Sequence, residues 1–262
     1  MGIANRLDLT LRLVQGAVGQ VSVAELAQRL GVSEMTVRRD LDVLEKQGLV
    51  RRVHGGAVPA RAREEGAGFD AREAWQGATK DRLGAAVAGL VEPGTRVLLD
   101  AGTTTTHVAE HLAARAPLTV AVLSLQAAVR LADRPGIELL VVGGRSRPGE
   151  RSLVGPLALR TLESLAFDLF VMSIGGVHAG HGWSEFSLDD AAVKRAGLGQ
   201  ADRTVAVADA TKLGVRAFNR VVPLDAVRTF VTDTAAADPD THPAGPETLR
   251  ALGEAGVETL LV

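Results

Sequence analysis

Cysteine and tyrosine are absent from the 262 residues, and aromatics are sparse at two tryptophans and six phenylalanines. Without cysteine there is no disulfide, no thiolate metal site and no cysteine nucleophile. No run of about 18 apolar residues occurs, so no membrane span is expected. The opening "MGIANRLDLTLRLVQG" has no unbroken apolar stretch of the secretory kind. Arg6 stands where a myristoylation signal carries Ser or Thr. These absences make the cytoplasm the expected compartment. No G-x-G-x-x-G follows a strand pattern, so a nicotinamide dinucleotide is not expected and no cofactor is called for. Nor is one sign of charge in excess: 29 Lys and Arg face 31 Asp and Glu, for a net charge of −2.

That near-neutral total hides an uneven distribution. Residues 1–60 hold eight Lys and Arg against six Asp and Glu, which is +2, leaving 21 against 25, or −4, for the rest. Bulk charge therefore says little about partners, and local arrangement has to carry the reading.

Three helical patterns fill the first fifty residues. One runs from about Arg6 to Gln15, with Leu7, Leu11 and Val14 on one stripe. A second opens at "SVAELAQRL", where Ser22 and Glu25 form the S-x-x-E capping pattern. Gly31 suits the end of that helix and Ser33 the cap of the next. The third runs from about Glu34 to Gln47. Helix, glycine turn and helix in this order make the helix-turn-helix pattern. At about 100° per residue, Val37, Leu41 and Leu44 share the face that must be buried. Met35, Thr36, Arg38 and Arg39 lie on or flank the opposite face near the helix start, where base edges are read, and Lys46 follows at its end. Arginine forks suit guanine or phosphate, and an exposed methionine suits a thymine methyl. "LVRRVHGGAV" then alternates and turns at Gly55-Gly56 as a β-wing does. Arg51, Arg52 and His54 on that wing are placed for backbone phosphates. The partner expected is double-stranded DNA.

"PARAREEGAGFDAREAWQG" has no apolar period and reads as a linker. The expected division is residues 1–58 as a winged helix-turn-helix domain, 59–75 as linker and 76–262 as an α/β domain. In that last part, helix patterns such as "KDRLGAAVAGLV" alternate with apolar strands such as "TRVLLDAG", "LTVAVLS", "IELLVVGG", "LFVMSIGG", "RTVAVADA" and "VETLLV". This is a Rossmann-like, mostly parallel sheet covered on both faces. Ligands of such sheets bind beyond the strand C-termini. There, "LDAGTTTTHVAE" ends a strand at Asp100, turns at Gly102 and opens a helix with Thr103, Thr104 and Thr105. Free N–H groups, hydroxyls and the helix end together make an anion seat, most simply for phosphate. The glycine pair Gly143-Gly144 with Arg145, Arg147 and Arg151, the helix bearing Lys194, and Asp209 with Lys212 lie at three further strand ends.

"VSVAELAQRLGVSEMTVRRDLDVLEKQGLVRRVHGGA" resembles the N-terminal signature of the DeoR family of bacterial transcriptional regulators. The four loops match as well, so the resemblance covers essentially the whole chain. It implies a sensor domain resembling ribose-5-phosphate isomerase that binds phosphorylated sugars or related metabolites. The family's "LDxGTT" corresponds to Asp100, Gly102, Thr103 and Thr104, its glycine pair to Gly143 and Gly144, its helix lysine to Lys194, and its "D-x-x-K" to Asp209 and Lys212. The implied function is a repressor of carbohydrate-metabolism genes released by such a metabolite. Two departures bear on the effector. Val122-Leu123-Ser124 stands where the family commonly has T-N-S, and Gly176-Val177-His178 where it commonly has G-[IV]-D.

A sugar-phosphate isomerase-like enzyme is the alternative. It needs a carboxylate base within reach of a sugar carbon. Asp100 and Asp209 remain available, but His178 replaces the acid of the middle loop, and a DNA-binding module has no use on a housekeeping isomerase. A regulator without catalytic residues is the reading adopted. His107 and His111 are spaced i, i+4 on a helix, with His178 and His181 in a loop, but a zinc site needs a third and fourth ligand and paired helix histidines more often serve packing or the surface, so no metal is expected. Helix-turn-helix proteins pair modules on two half-sites, which implies a homo-oligomer.

Overall fold

The computed structural model describes residues 3–15, 20–46, 50–53, 55–59 and 69–262. Contacts divide the chain into two compact units, Met1–Trp75 and Gln76–Val262.

The first unit contains α1 (Ile3–Gln15), β1 (Val21–Ser22), α2 (Val23–Leu30), α3 (Glu34–Lys46), β2 (Val50–Val53) and β3 (Gly56–Pro59). Its core gathers Leu11 and Val14 of α1, Val23, Leu26 and Leu30 of α2, and Val37, Leu41 and Leu44 of α3. These are the stripes that helical periodicity requires. Ser22 Oγ accepts from the Glu25 N–H at 3.1 Å, and Gly31 closes α2 in the left-handed region at φ +64°. Only half of the capping box forms: the Glu25 carboxylate turns instead to Arg29 at 3.0 Å, one turn along. Asp40 of α3 accepts a two-pronged contact from Arg6 of α1, at 2.6 and 3.0 Å, which ties the first helix to the third.

The wing is antiparallel, β1-β3-β2 in order. Val53 pairs with Gly56, so Gly56 is the first ladder residue rather than part of the turn. A Cβ at Gly56 would meet the Val21 carbonyl oxygen at 2.2 Å, which is why glycine stands there. The segment expected as a featureless linker carries a helix, α4 (Phe69–Ala74). At six residues it is too short to show an apolar period, which is how it escaped the sequence pattern.

The second unit begins with α5 (Gly77–Gly89), β4 (Arg96–Leu99), α6 (Thr103–Leu112), β5 (Leu118–Val122), α7 (Leu125–Leu131) and β6 (Ile137–Val141). After a two-stranded ribbon of β7 (Arg145–Ser146) and β8 (Leu153–Val154) come α8 (Pro156–Glu163) and β9 (Phe167–Ser173). The chain ends with β10 (Gly176–His178), β11 (Gly182–Glu185), α9 (Leu188–Gly199), β12 (Ala201–Val207), β13 (Asn219–Val222), β14 (Thr229–Thr232), α10 (Gly245–Glu254) and β15 (Glu258–Leu261).

Seven strands form one parallel sheet, ordered β15-β14-β12-β9-β4-β5-β6. Period 2 sends Leu98 into one core and its neighbours Val97 and Leu99 into the other, so both faces are covered. β10, β11 and β13 add a small antiparallel sheet where the sequence suggested only a loop. It is anchored by Trp183, which is fully buried, donates from Nε1 to the Leu224 carbonyl at 3.1 Å and meets Phe230 edge-on.

This strand order locates the site. From β4 the chain moves outward through β5 to β6, then returns to β9 on the other side of β4. The C-terminal ends of β4 and β9 therefore flank a topological switch point, where crevices open in sheets of this kind.

Candidate functional site

At that switch point, Asp100 follows β4 and Ser173 ends β9. The Asp100 carboxylate accepts from its neighbour's Ala101 N–H at 2.8 Å, and from the Ser173 N–H and hydroxyl at 3.0 Å each. Lys194 of α9 donates to the same carboxylate and lies 3.1 Å from the Ser173 hydroxyl and 3.4 Å from Glu185. The Lys194 and Asp100 side chains are each 2% exposed. Gly197 makes this reach possible. A Cβ there would meet Leu98 Cδ2 at 2.9 Å and the Phe170 ring at 3.1 Å, so α9 lies flush on the sheet and delivers Lys194, one turn earlier, to the strand ends.

Burial works against the Lys194 ammonium, but Asp100, Glu185 and Asp190 outweigh it and hold its pKa above the ordinary lysine value. The same burial pushes the Glu185 carboxyl above its ordinary range, partly offset by Lys194. The Asp100 carboxylate is shielded from solvent and already holds four donors, so it is not placed as a base toward a substrate. In this arrangement the Lys194 charge is spent on carboxylates, not held out to a ligand.

Gly102 opens the turn after Asp100 at φ +149°, and a Cβ there would crowd Ser173 Oγ at 3.2 Å. The threonines divide into two pairs. Thr105 and Thr106 send their hydroxyls back to the Gly102 carbonyl, at 3.1 and 2.8 Å, and are fully buried. Thr103 and Thr104 are each 8% exposed, nearer the surface. The first N–H groups of α6 have no carbonyl within the helix to bond, as at any α-helix start, and the helix dipole favours an anion there.

The other expected residues surround this turn less directly. Gly143 and Gly144 follow β6 at φ +84° and +107°, and a Cβ on Gly144 would meet the Val154 carbonyl at 2.7 Å, so its form serves close packing on β8. Past them, Arg145 reaches Asp189 at 2.5 Å and Arg147 pairs with Asp190, which fastens this loop to the start of α9. Asp209 caps the 3-10 turn Ala210–Lys212 by accepting from the Thr211 N–H at 3.0 Å and from its hydroxyl. Lys212 is half-buried, and desolvation pushes its ammonium down to about 7. Of the two departures, Ser124 caps α7 by accepting from Ala127 N–H at 3.3 Å, and His178 accepts from Gly180 N–H at 3.0 Å.

Ser173 and Glu185 were not singled out from sequence. Ser173 carried a signal, a lone hydroxyl closing an apolar strand, whereas Glu185 sits in the small sheet that the pattern did not reveal.

In the first unit, Met35 is 62% exposed on α3, and Arg38 and Arg39 are exposed beside it, opposite the buried Val37, Leu41 and Leu44. Ser33 Oγ caps the helix by accepting from the Thr36 N–H at 3.3 Å and lies 2.9 Å from the Thr36 hydroxyl. Arg38 contacts Glu34 at 3.5 Å, one turn back. Arg52 of β2 pairs with Asp42 of α3, and its N–H donates to Glu45 at 2.8 Å, which docks the wing on the helix. The side chains of Lys46 and Arg51, and all of His54, lie outside the described residues.

Comparison with known families places both units. A model of the "DeoR-like helix-turn-helix domain" matches residues 8–62, and one of the "DeoR C terminal sensor domain" matches residues 75–234. The chain is 38% identical to the uncharacterised HTH-type transcriptional regulator YgbI of Escherichia coli, over 82% of this chain and 84% of that protein. It is 35% identical to the HTH-type transcriptional regulator GlpR of Haloferax volcanii, over 88% and 89%. It is 29% identical to the putative aga operon transcriptional repressor of Escherichia coli O157:H7, over 93% and 88%. Among solved structures, ribose 5-phosphate isomerase A of Methanocaldococcus jannaschii aligns over 52% of this chain and 54% of that one, with TM-score 0.39 and 16% identity, too low to bear on function.

Proposed function

We propose, from the premise that this chain belongs to the DeoR family of transcriptional regulators, that it represses carbohydrate-metabolism genes and is released by a phosphorylated sugar or related metabolite. Residues 1–58 act as the DNA-binding domain, 59–75 as the connection and 76–262 as the sensor. The observation that carries the reading is the division of α3 into a buried apolar face and an exposed face of Met35, Arg38 and Arg39. A merely solvated helix gains nothing by exposing methionine. A helix entering a major groove gains an apolar contact to thymine methyls and two guanidinium forks.

On this proposal Thr36 joins Met35, Arg38 and Arg39 as a reader of base edges, Ser33 and Arg52 contact the phosphate backbone, and Arg51, His54 and Lys46 are further basic contacts of the module. The effector phosphate sits at the first turn of α6, on the N–H groups of Thr103, Thr104 and Thr105. Gly102, Gly143, Gly144, Asp209 and Lys212 border it. Asp100 and Lys194 support it from beneath by fixing the turn. A ligand shifts DNA affinity only by binding the DNA-free and DNA-bound arrangements unequally. Two modules on two half-sites require at least a dimer.

Footprinting of the chain on the DNA flanking its own gene tests the DNA half of the reading. Protection of two short segments about 34–36 Å apart along the helix is expected from a paired helix-turn-helix. Uniform protection without discrete segments would overturn sequence-specific binding.

A further inference from the structure

His107 and His111 lie one turn apart on α6 with Glu110 between them, and the fold brings a further carboxylate to them from α5. Gly84 of α5 lets the two helices meet backbone to backbone: a Cβ there would lie 2.7 Å from the His107 carbonyl carbon. Asp81, three residues before Gly84, is thereby carried to the histidine face of α6. Its Oδ1 lies 2.8 Å from His111 Nε2 and 4.0 Å from His107 Nδ1. Glu110 adds a second carboxylate, with Oε2 3.6 Å from His107 Nδ1. One ligand atom each from Asp81, His107 and Glu110 can be chosen so that all three lie within 4.8 Å of one another.

We infer that Asp81, His107 and Glu110 form a divalent transition-metal site of the zinc class on the outer face of the α5–α6 pair. This goes beyond the regulator reading and does not rest on it. Four observations support it. Imidazole nitrogen with carboxylate oxygen is a donor set for zinc and its neighbours, not for calcium or magnesium. Bonds of about 2.0–2.2 Å in a tetrahedron set ligand atoms about 3.3 Å apart, so closing these separations takes only small side-chain movements. The supporting contacts are in place: His111 holds the Asp81 carboxylate, and Arg130 holds Glu110 through its other oxygen, Oε1, at 3.1 Å, leaving Oε2 to the site. His107 is 16% exposed with both ring nitrogens shielded, while Asp81 is 56% exposed, so the site has a preorganised inner ligand and an open approach.

The test uses the untagged full chain, dialysed against chelator and titrated with zinc by calorimetry and with cobalt by visible absorption. One metal per chain is expected, with tetrahedral cobalt bands and a rise in Tm on adding zinc. Glu110→Gln, Asp81→Asn and His107→Gln should abolish the bands and the Tm rise. His111→Gln, which acts through Asp81, should weaken binding by about tenfold. His242→Gln, outside the cluster, should bind as the parent does. Circular dichroism without metal checks each fold, and if His107→Gln fails to fold, the two carboxylate variants carry the result. No binding by the parent chain, or equal binding by parent and folded carboxylate variants, would overturn the site and leave only a hydrogen-bonded clamp between helices.

Discussion

Lys194, in the second turn of α9, donates to the carboxylate of Asp100 at the end of β4, and both side chains are sealed from solvent. Ninety-four residues separate them, so the contact holds helix, strand and the turn at Gly102 in one register. Removing Lys194 leaves the Asp100 carboxylate buried without its counter-charge, held by neutral donors alone.

Lys194→Ala should therefore destabilise the sensor domain by about 3–5 kcal/mol rather than remove a ligand contact alone. Urea unfolding followed by tryptophan fluorescence measures this. Adding Asp100→Asn should recover part of the loss, because the stranded charge is gone. A loss below about 1 kcal/mol for the single variant, the range of an exposed ion pair, would contradict the buried-pair account.

On α3, Arg39→Ala should cost operator affinity about 1–3 kcal/mol, concentrated at one base-pair position, if the guanidinium forks a base. Binding to a panel of single-position operator variants measures it, and unchanged affinity in a folded mutant excludes the assignment.

Arg52 is already paired with Asp42, so its phosphate contact competes with an internal carboxylate. Arg52→Ala should weaken specific and non-specific DNA alike and flatten the salt dependence by about one unit of slope. Asp42→Ala should act in the opposite direction on non-specific affinity. A loss confined to one operator position in Arg52→Ala would contradict the phosphate role.

Lys212 offers a proton signature. Its folded pKa of about 7 lies below the ordinary 10.5, so between those values the unfolded chain holds more protons and stability rises with pH. A phosphate bound beside it favours the ammonium. At about pH 8, effector binding should therefore take up protons, and at about pH 6 the lysine's share should vanish. Calorimetry in buffers of different ionisation enthalpy reads the uptake, and none at the higher pH would remove Lys212 from the phosphate site.

The threonines separate function from packing. Thr104→Val should weaken effector response about fivefold, the worth of one hydrogen bond, with operator affinity intact. Thr106→Val, whose hydroxyl bonds Gly102, should lower stability instead. Equal effects of the two on effector response would contradict the division.

The alternation of apolar strands and helices made the parallel sheet legible, since a strand buried on both faces leaves a plain apolar run, as in "RVLL" of β4. The helix-turn-helix was legible for a similar reason, as its caps and stripes are local. The small sheet was not: Gly180 and Gly182 interrupt the alternation of β10 and β11, and β13 joins them from thirty-four residues beyond Glu185, at Asn219. The loops at the site were legible as residue types, but the roles within them were not. Whether Lys194 faces a ligand or a carboxylate depends on the flush packing of Gly197, which only the fold reveals. The Asp81 carboxylate beside His107 was hidden likewise, because it comes from another helix.

The central claim is that a phosphate-bearing metabolite at the start of α6 controls the grip on DNA. Fluorescence anisotropy of labelled operator, titrated with matched pairs of sugars and their phosphate esters, tests it most directly. The account predicts release by a phosphate ester and none by the parent sugar at equal concentration. Equal release by both members of a pair would contradict it.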